Sequence, residues 1–308
     1  MLRSMLKFIL SQSYLVTMAV AVLCGMFIPH AHDLTQWNTV YLQIIFFMSC
    51  LKLDMRSYVE YVKDWKFLVL ANALMLVIFP FLVWLVWLVW PSDLLFAIYL
   101  LAAMPIGMTA ALLVELNGGK PSITMILTAT TSLLAPFTIT FLTKALYGAS
   151  VDVNAPQIFT QLASVIFIPF IFAMIARRFW PKTVNKVKDR TKPVSIFFLG
   201  LTIAGAVGSQ VGAAETITAN WLNLLLIVAA LYAFFIITNI IGYFSFWWEP
   251  HASKQTISIS LACMNFTLAI YLASHFFPRP SIVLPLVFAI IPWVTFMPVW
   301  LRISKNFK

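Results

Sequence analysis

The sequence predicts an all-α integral membrane protein of about ten transmembrane helices, arranged as two inverted five-helix repeats. Three observations predict it. Of 308 residues, 62% are hydrophobic and only 10% charged, whereas a soluble domain is nearer half apolar and a quarter charged. That leaves too little polar surface to cover a water-soluble globule. Apolar stretches approaching the ~20 residues needed to cross a bilayer recur along the whole chain. The cations are also segregated. With the N-terminus placed in the cytoplasm, only Lys144 and Arg279 of the 20 Lys and Arg fall in outer segments, the positive-inside pattern with both termini cytoplasmic.

The first span, 10–29, follows a basic start like that of a signal peptide. It lacks an A-x-A cleavage site and runs on to Pro29, so it is expected to be retained. The others are expected at 38–53, 66–90, 94–117, 121–146, 156–177, 193–211, 219–246, 253–276 and 281–301. Between them lie turn signals or charge: "PHAHD", "WPSD", "NGGKP", "NAP", "EPHASK" and "FPRPS". The basic run 177–192 between spans six and seven reads as a topology anchor. Trp90 and "FSFWWEP" (244–250) suit the two interfacial belts, with Trp84 and Trp87 expected to face lipid or neighbouring helices. Apolar segments spread evenly over 1–308 predict one membrane domain, with repeats of approximately 1–150 and 151–308.

The net charge of +10 is explained by topology and anionic headgroups, and nucleic acid is not an expected partner. Cys24, Cys50 and Cys263 are far apart in apolar runs, neither a disulfide framework nor a metal spacing. No metal site is expected.

Five spans per half give the halves opposite orientations, as in many secondary transporters. Spans four and nine hold the same place in each half. Span four carries Pro105 and Gly107 near its centre. Proline removes a backbone donor and clashes with the preceding turn, and glycine adds freedom. Span nine carries Asn265 and Thr267 at its centre, with Ser258 and Ser260 before them. Span five adds Thr124, Thr128, Thr131 and Ser132 on one side of a helix. Polar groups at membrane depth usually face the protein interior. Two discontinuous helices with half-helix ends at a midplane cavity are therefore expected. Hydroxyls binding helix to helix would leave the same trace.

Three stretches, "FFMSCLKLDMRSY" (46–58), "MPIGMTAALLVELNGGKPSITMILTATTSLLAPF" (104–137) and "SISLACMNFTLAIYLASHFFP" (258–278), resemble the bile acid:sodium symporter family of the bile/arsenite/riboflavin transporter superfamily. The resemblance covers nearly the whole chain. It implies ten helices in panel and core domains, with helices four and nine crossing where they unwind. It also implies symport of a small organic anion, of bile-acid or keto-acid type, by alternating access.

The resemblance places the pathway at Thr109, Ala110, Ala111, Thr124, Thr128, Ser260, Cys263, Met264, Asn265 and Thr267. The family's sodium ligands are mostly replaced. Its Ser-Asn pair is Ala110-Ala111, its glutamate is Ser260, its glutamine is Met264, and a further glutamine in helix three is Met75. Sodium is a hard cation that seeks several oxygens, so at most one weakly held ion is expected and no other cofactor. A proton-coupled carrier, with Glu115 as its acid inside a span, or an uncoupled one, is the alternative. "MNFTLAI" resembles the arsenite branch, but span four lacks that branch's cysteine and Thr267 replaces its glutamate. No paired aspartates, Ser–His pair, H-E-x-x-H or Asp-rich motif suggests an intramembrane enzyme, and no repeated filter suggests a channel. The expected setting is a cell membrane, the inner one in a bacterium.

Overall fold

The computed structural model describes residues 13–51, 65–107, 109–151, 153–187, 190–210 and 221–307. The first residues of span one, the loop cations Lys52, Arg56 and Lys63, and Met108 lie outside the described residues. The described residues are almost entirely helical.

The chain runs through α1 (Ser13–Phe27), a 3-10 turn (Ala31–Trp37), α2 (Asn38–Cys50) and α3 (Trp65–Val89, with a π-helical turn at Leu74–Ile78). Next come α4 (Asp93–Ala102), α5 (Ala110–Leu116), α6 (Pro121–Tyr147), α7 (Ala155–Phe179), the short α8 (Pro181–Val187) and α9 (Thr191–Gly208). The last are α10 (Trp221–Phe244), α11 (His251–Ala262), α12 (Phe266–Phe276), α13 (Pro280–Phe288) and α14 (Ile290–Ile303). Among the described residues, five helices are long and apolar enough to cross a membrane: Trp65–Val89, Pro121–Tyr147, Ala155–Phe179, Leu222–Phe244 and Pro280–Ile303. A sixth candidate is Val16–Phe27 with Ala31–Cys50, bent by 116°. Asp93–Ala102, Pro193–Gly208 and Phe266–Phe276 are shorter apolar helices. Large apolar side chains such as Phe141, Phe172 and Val89 stay exposed on the outside, as expected where lipid replaces water.

Two sets of helices pack within themselves. In the first, α9 lies along α1 and α2, and α7 lies along α2. Gly208 lets the 3-10 turn approach α9, since a Cβ there would stand 2.9 Å from the Ala31 Cβ and the His32 nitrogen. Small residues serve this purpose in lipid, where close backbone approach drives helix association.

In the second set, α4 packs on α3 and α13, α10 on α11 and α14, and α5 on α6 and α11. Its two ends are tied by polar contacts. At one end Arg279 Nη1 meets Asp93 Oδ1 at 2.9 Å, and Ser281 Oγ donates to Asp93 Oδ2. At the other, Asn117 Nδ2 donates to Ser304 Oγ (3.2 Å) and the Lys120 N–H to Thr256 Oγ1 (2.8 Å). Trp84 and Trp87 are half-buried and pack against a neighbouring helix. Trp84 Nε1 donates to the Leu146 carbonyl (3.0 Å), and Trp87 stacks edge-on against Tyr147 at 4.8 Å, so both hold the end of α6. Period-three spacing alone does not tell a lipid face from a helix contact.

Few polar contacts join the sets. Among the described residues, the hydrogen bonds that cross between them both end on the Tyr271 hydroxyl of α12. It donates to Gln161 Oε1 of α7 (3.2 Å) and pairs with Thr39 Oγ1 of α2 (3.1 Å). The His275 ring stacks on Tyr271, with centroids 5.6 Å apart and planes 10° from parallel.

The first half of the second broken helix depends on one close backbone approach. A Cβ on Gly242 of α10 would sit 2.6 Å from the Ser258 Cα of α11. Overpacking of this kind costs about 1–3 kcal/mol. Gly242→Val is therefore expected to lower the detergent-solubilised melting temperature by several degrees, and an unchanged melting curve would show that α10 and α11 are not held this closely.

Candidate functional site

Span four stops at Ala102 and resumes at Ala110, and span nine stops at Ala262 and resumes at Phe266. The two interruptions meet. Ile106 and Met264 form an antiparallel bridge, in which the Gly107 N–H donates to the Cys263 carbonyl (2.6 Å) and the Asn265 N–H to the Pro105 carbonyl (2.9 Å). The orphaned Ile106 N–H reaches Thr131 Oγ1 of α6 at 3.3 Å. The main-chain groups freed by the two breaks thus pair chiefly with each other, which removes the cost of leaving them unmet in an apolar interior.

The breaks have different causes. In the first, Pro105 disfavours helical geometry at Met104. Gly107 is needed for space rather than for freedom: a Cβ there would lie 3.0 Å from the Met264 carbonyl oxygen and 3.2 Å from that of Cys263. In the second, a helix start interrupts the span without proline or glycine. Asn265 is the N-cap of α12, and its Oδ1 accepts from the Leu268 N–H at 3.1 Å. Asparagine is among the preferred residues at that position.

Beside the crossing lies a cavity of about 150 Å³. It is lined by residues from the last half of α2, the first half of α6, the later part of α7, the start of α9 and the α13–α14 joint. The cavity therefore opens in the half of the molecule that holds Lys120 and the start of α9, and Tyr271 lies in the other half.

Of the expected pathway residues, Thr109, Ala111, Thr128, Met264, Asn265 and Thr267 line the cavity, and so does Gly107. Ala110, Thr124, Ser260 and Cys263 lie packed behind it, each 0–1% exposed. There Thr124 Oγ1 and Ser260 Oγ hydrogen-bond each other at 3.1 Å. Pro105 is buried at the bridge, and Met75 is buried in the π-turn of α3. Glu115 is exposed on α5 and does not line the cavity.

Among the described residues, no acidic or basic side chain lines the cavity. Thr128 donates back to the Thr124 carbonyl (2.8 Å). Asn265, whose Oδ1 is committed to the cap, lines the cavity alongside Thr109 and Thr267. Away from the cavity, His30, His32 and Asp33 bring three potential metal-ligating atoms within 4.8 Å, all on exposed side chains.

Sequence reasoning missed the opposite wall. Ser49 and Phe46 of α2, Phe170 of α7 and Ser195 of α9 face the crossing across the cavity, with Trp293 at its side. Ser195 was obscured by the basic run beside it, and no repeating polar stripe marks these helices.

The fold is that of a polytopic helical membrane protein built around two crossed, interrupted helices. Residues 12–304 match the SBF-like CPA transporter family (DUF4137), and the chain belongs to that family. It is a family of transporters, not of enzymes. The chain is 24% identical over 201 residues to the probable sodium/metabolite cotransporter BASS1, chloroplastic, of Oryza sativa subsp. japonica (63% of this chain, 47% of the relative). It is 23% identical over 191 residues to the probable sodium/metabolite cotransporter BASS2, chloroplastic, of the same plant (60% and 43%). A third relative is the probable sodium/metabolite cotransporter BASS5, chloroplastic, of Oryza sativa subsp. indica, 21% identical over 169 residues (53% and 41%). The chain spans under half the length of these curated relatives.

Gly107→Ala tests the crossing. The added methyl must displace the carbonyls of Cys263 and Met264, so we expect a loss of about 1–3 kcal/mol in thermal or denaturant unfolding. Stability equal to that of the native protein would mean the two chains are not in contact there.

Proposed function

We propose that this chain is a secondary carrier of a small organic acid, working by alternating access around the crossing of the two interrupted helices. The single observation that supports this most is the main-chain bridge at Ile106–Met264 beside a cavity between two sets of helices. The cavity lies in one half of the molecule and the Tyr271 tie in the other, which is the arrangement expected of a carrier open to one side and closed to the other. We read the chain as one transport domain, 1–308, made of two inverted repeats joined near residue 150, with both termini in the cytoplasm of a cell whose membrane holds it. The first helix set would act as a panel and the second as a core.

In this reading the cargo's polar group meets Thr109, the Asn265 amide and Thr267 at the head of α12, whose N-terminal dipole favours negative charge. Its apolar body rests on the aromatic and aliphatic walls. Sodium coupling of the two-ion kind is disfavoured, although the relatives are named as sodium/metabolite cotransporters. Among the described residues no carboxylate lines the cavity, the Thr124 and Ser260 hydroxyls bond each other, and the Pro105 and Cys263 carbonyls already accept main-chain N–H groups. A hard cation would have to share oxygens that already take part in hydrogen bonds.

Thermal-shift titration of purified protein with sodium, at constant ionic strength, and with organic acids tests both parts. We expect stabilisation by an acid and none by sodium. Asn265→Ala combined with Thr267→Ala should abolish the acid's shift, and an unchanged shift would place the cargo elsewhere. A sodium-specific shift would overturn the coupling proposal. Tyr271→Phe removes both hydrogen bonds between the sets, worth about 1–2 kcal/mol in all, or roughly tenfold in a two-state equilibrium. Spin labels at His32 and Pro278 should then report a larger population of wide separations, and identical distance distributions would remove Tyr271 from the gate.

A further inference from the structure

Two of the chain's 4 histidines, His30 and His32, fall within one turn, with Asp33 beside them. The turn joins α1 to α2, where that span bends by 116°. One imidazole nitrogen from each histidine and one Asp33 carboxylate oxygen all lie within 4.8 Å of one another. His32 Nε2 stands 3.2 Å from Asp33 Oδ1, and His30 Nδ1 stands 3.9 Å from Asp33 Oδ2. The other two histidines are engaged elsewhere, His251 with the Tyr243 hydroxyl and His275 with the Tyr271 ring.

Ordinary roles do not account for His30. It precedes the 3-10 turn, but its side chain makes no capping hydrogen bond. Its φ is +63°, the one positive value at a non-glycine residue among the described residues. Glycine would hold that conformation without strain, and such outliers gather at ligand clamps and active sites. The backbone beneath the three side chains is fixed. The Asp33 N–H donates to the His30 carbonyl (2.9 Å), and Thr35 Oγ1 donates to the His32 carbonyl (2.7 Å). The turn is seated on α9 at two glycines. A Cβ on Gly205 would stand 3.1 Å from the Thr35 nitrogen, and one on Gly208 would stand 2.9 Å from the His32 nitrogen.

We infer that His30, His32 and Asp33 form a binding site for a divalent cation of the Zn2+, Ni2+ or Cu2+ kind. The donor set decides the class. Imidazole suits these borderline ions, whereas Mg2+ and Ca2+ seek oxygen ligands. Ligand atoms about 2.1 Å from a tetrahedral ion lie about 3.4 Å apart, close to the spacing of the His32–Asp33 pair. The exposed His30 ring closes the remaining gap by rotation about its side-chain bonds. Among the described residues no further His, Cys, Asp or Glu joins the group, so water completes the coordination, as in an open site. The cysteine spacing pointed to no metal; these ligands come from a different set of residues. In the orientation proposed above, the site faces outward. It is remote from the cavity, so it stands or falls separately from the carrier reading.

The test uses the full chain, purified in detergent without a polyhistidine tag and stripped of metal by a chelator. Calorimetric titration at neutral pH should show one equivalent each of Zn2+, Ni2+ and Cu2+ bound, and no binding of Mg2+ or Ca2+. His30→Ala, His32→Ala and Asp33→Asn should each weaken binding by about tenfold or more, since even changes to groups that only orient a ligand cost about 10–100-fold. His251→Gln should bind as the native protein does. His30→Gly separates a ligand from a structural residue: it should lose affinity to the same extent, yet melt no earlier than the native protein in metal-free buffer. Electron paramagnetic resonance of bound Cu2+ should show hyperfine coupling to two imidazole nitrogens, and to one in either histidine variant. Zn2+ in excess should raise the native melting temperature and leave that of the His30→Ala, His32→Ala double variant unmoved. Affinity in the native protein no greater than in that double variant overturns the site, and so does a spectrum without imidazole coupling. Loss of binding in His251→Gln would place the metal elsewhere and overturn it equally.

Discussion

The structure depends on a short piece of antiparallel backbone pairing inside a helical protein. Within a bilayer each unmet main-chain N–H or C=O costs several kcal/mol, so a helix can be interrupted there only if the freed groups find partners. Two interruptions placed against each other solve that problem jointly. Pro105 and Cys263 supply the carbonyls, and Gly107 and Asn265 supply the donors. Each break supplies partners to the other, which couples two segments more than 150 residues apart through one contact. The helix ends, the cap at Asn265 and the position of the cavity all follow from where that pairing falls.

The pairing also decides what the site can offer a guest. Carbonyls that already accept an N–H are weaker lures for a cation than open ones. The burden of recognition passes to side chains, and those around the cavity are hydroxyls, one amide and apolar surface. In the carrier proposed above, such a lining would recognise its guest by hydrogen bonding and shape. It differs from one built for charge, where a buried carboxylate or guanidinium would dominate binding and require its own compensation.

Much of the architecture was legible in the sequence because hydropathy and charge placement act over long windows. Each expected span contains helix, and the family expected from the quoted stretches is the family matched. The break at Pro105 was legible because proline acts locally and in one direction. The break at Asn265 was less so: an asparagine in an apolar span reads equally as a ligand, as glue between helices or as a cap, and only the surrounding backbone chooses among them. The purpose of Gly107 was misread for a related reason, since conformational freedom and lack of bulk are the same residue in a sequence. Thr124 and Ser260 share a depth with the cavity residues but turn away from it, a matter of rotation about the helix axis that packing decides. The wall containing Ser195 was invisible because nothing but its position across the cavity distinguishes it from other serines.

The Tyr271 hydroxyl has a single proton. Since it gives that proton to Gln161, the bond with Thr39 must run the other way, with the threonine as donor. The three groups form a directed chain in which each bond polarises the next. Losing one link weakens its neighbour, so the joint favours being wholly made or wholly broken. In the proposed carrier, a joint fastened in this manner would have little use for intermediate apertures, and a rise in tension across it would register as a change in how often it is shut rather than how far it is ajar.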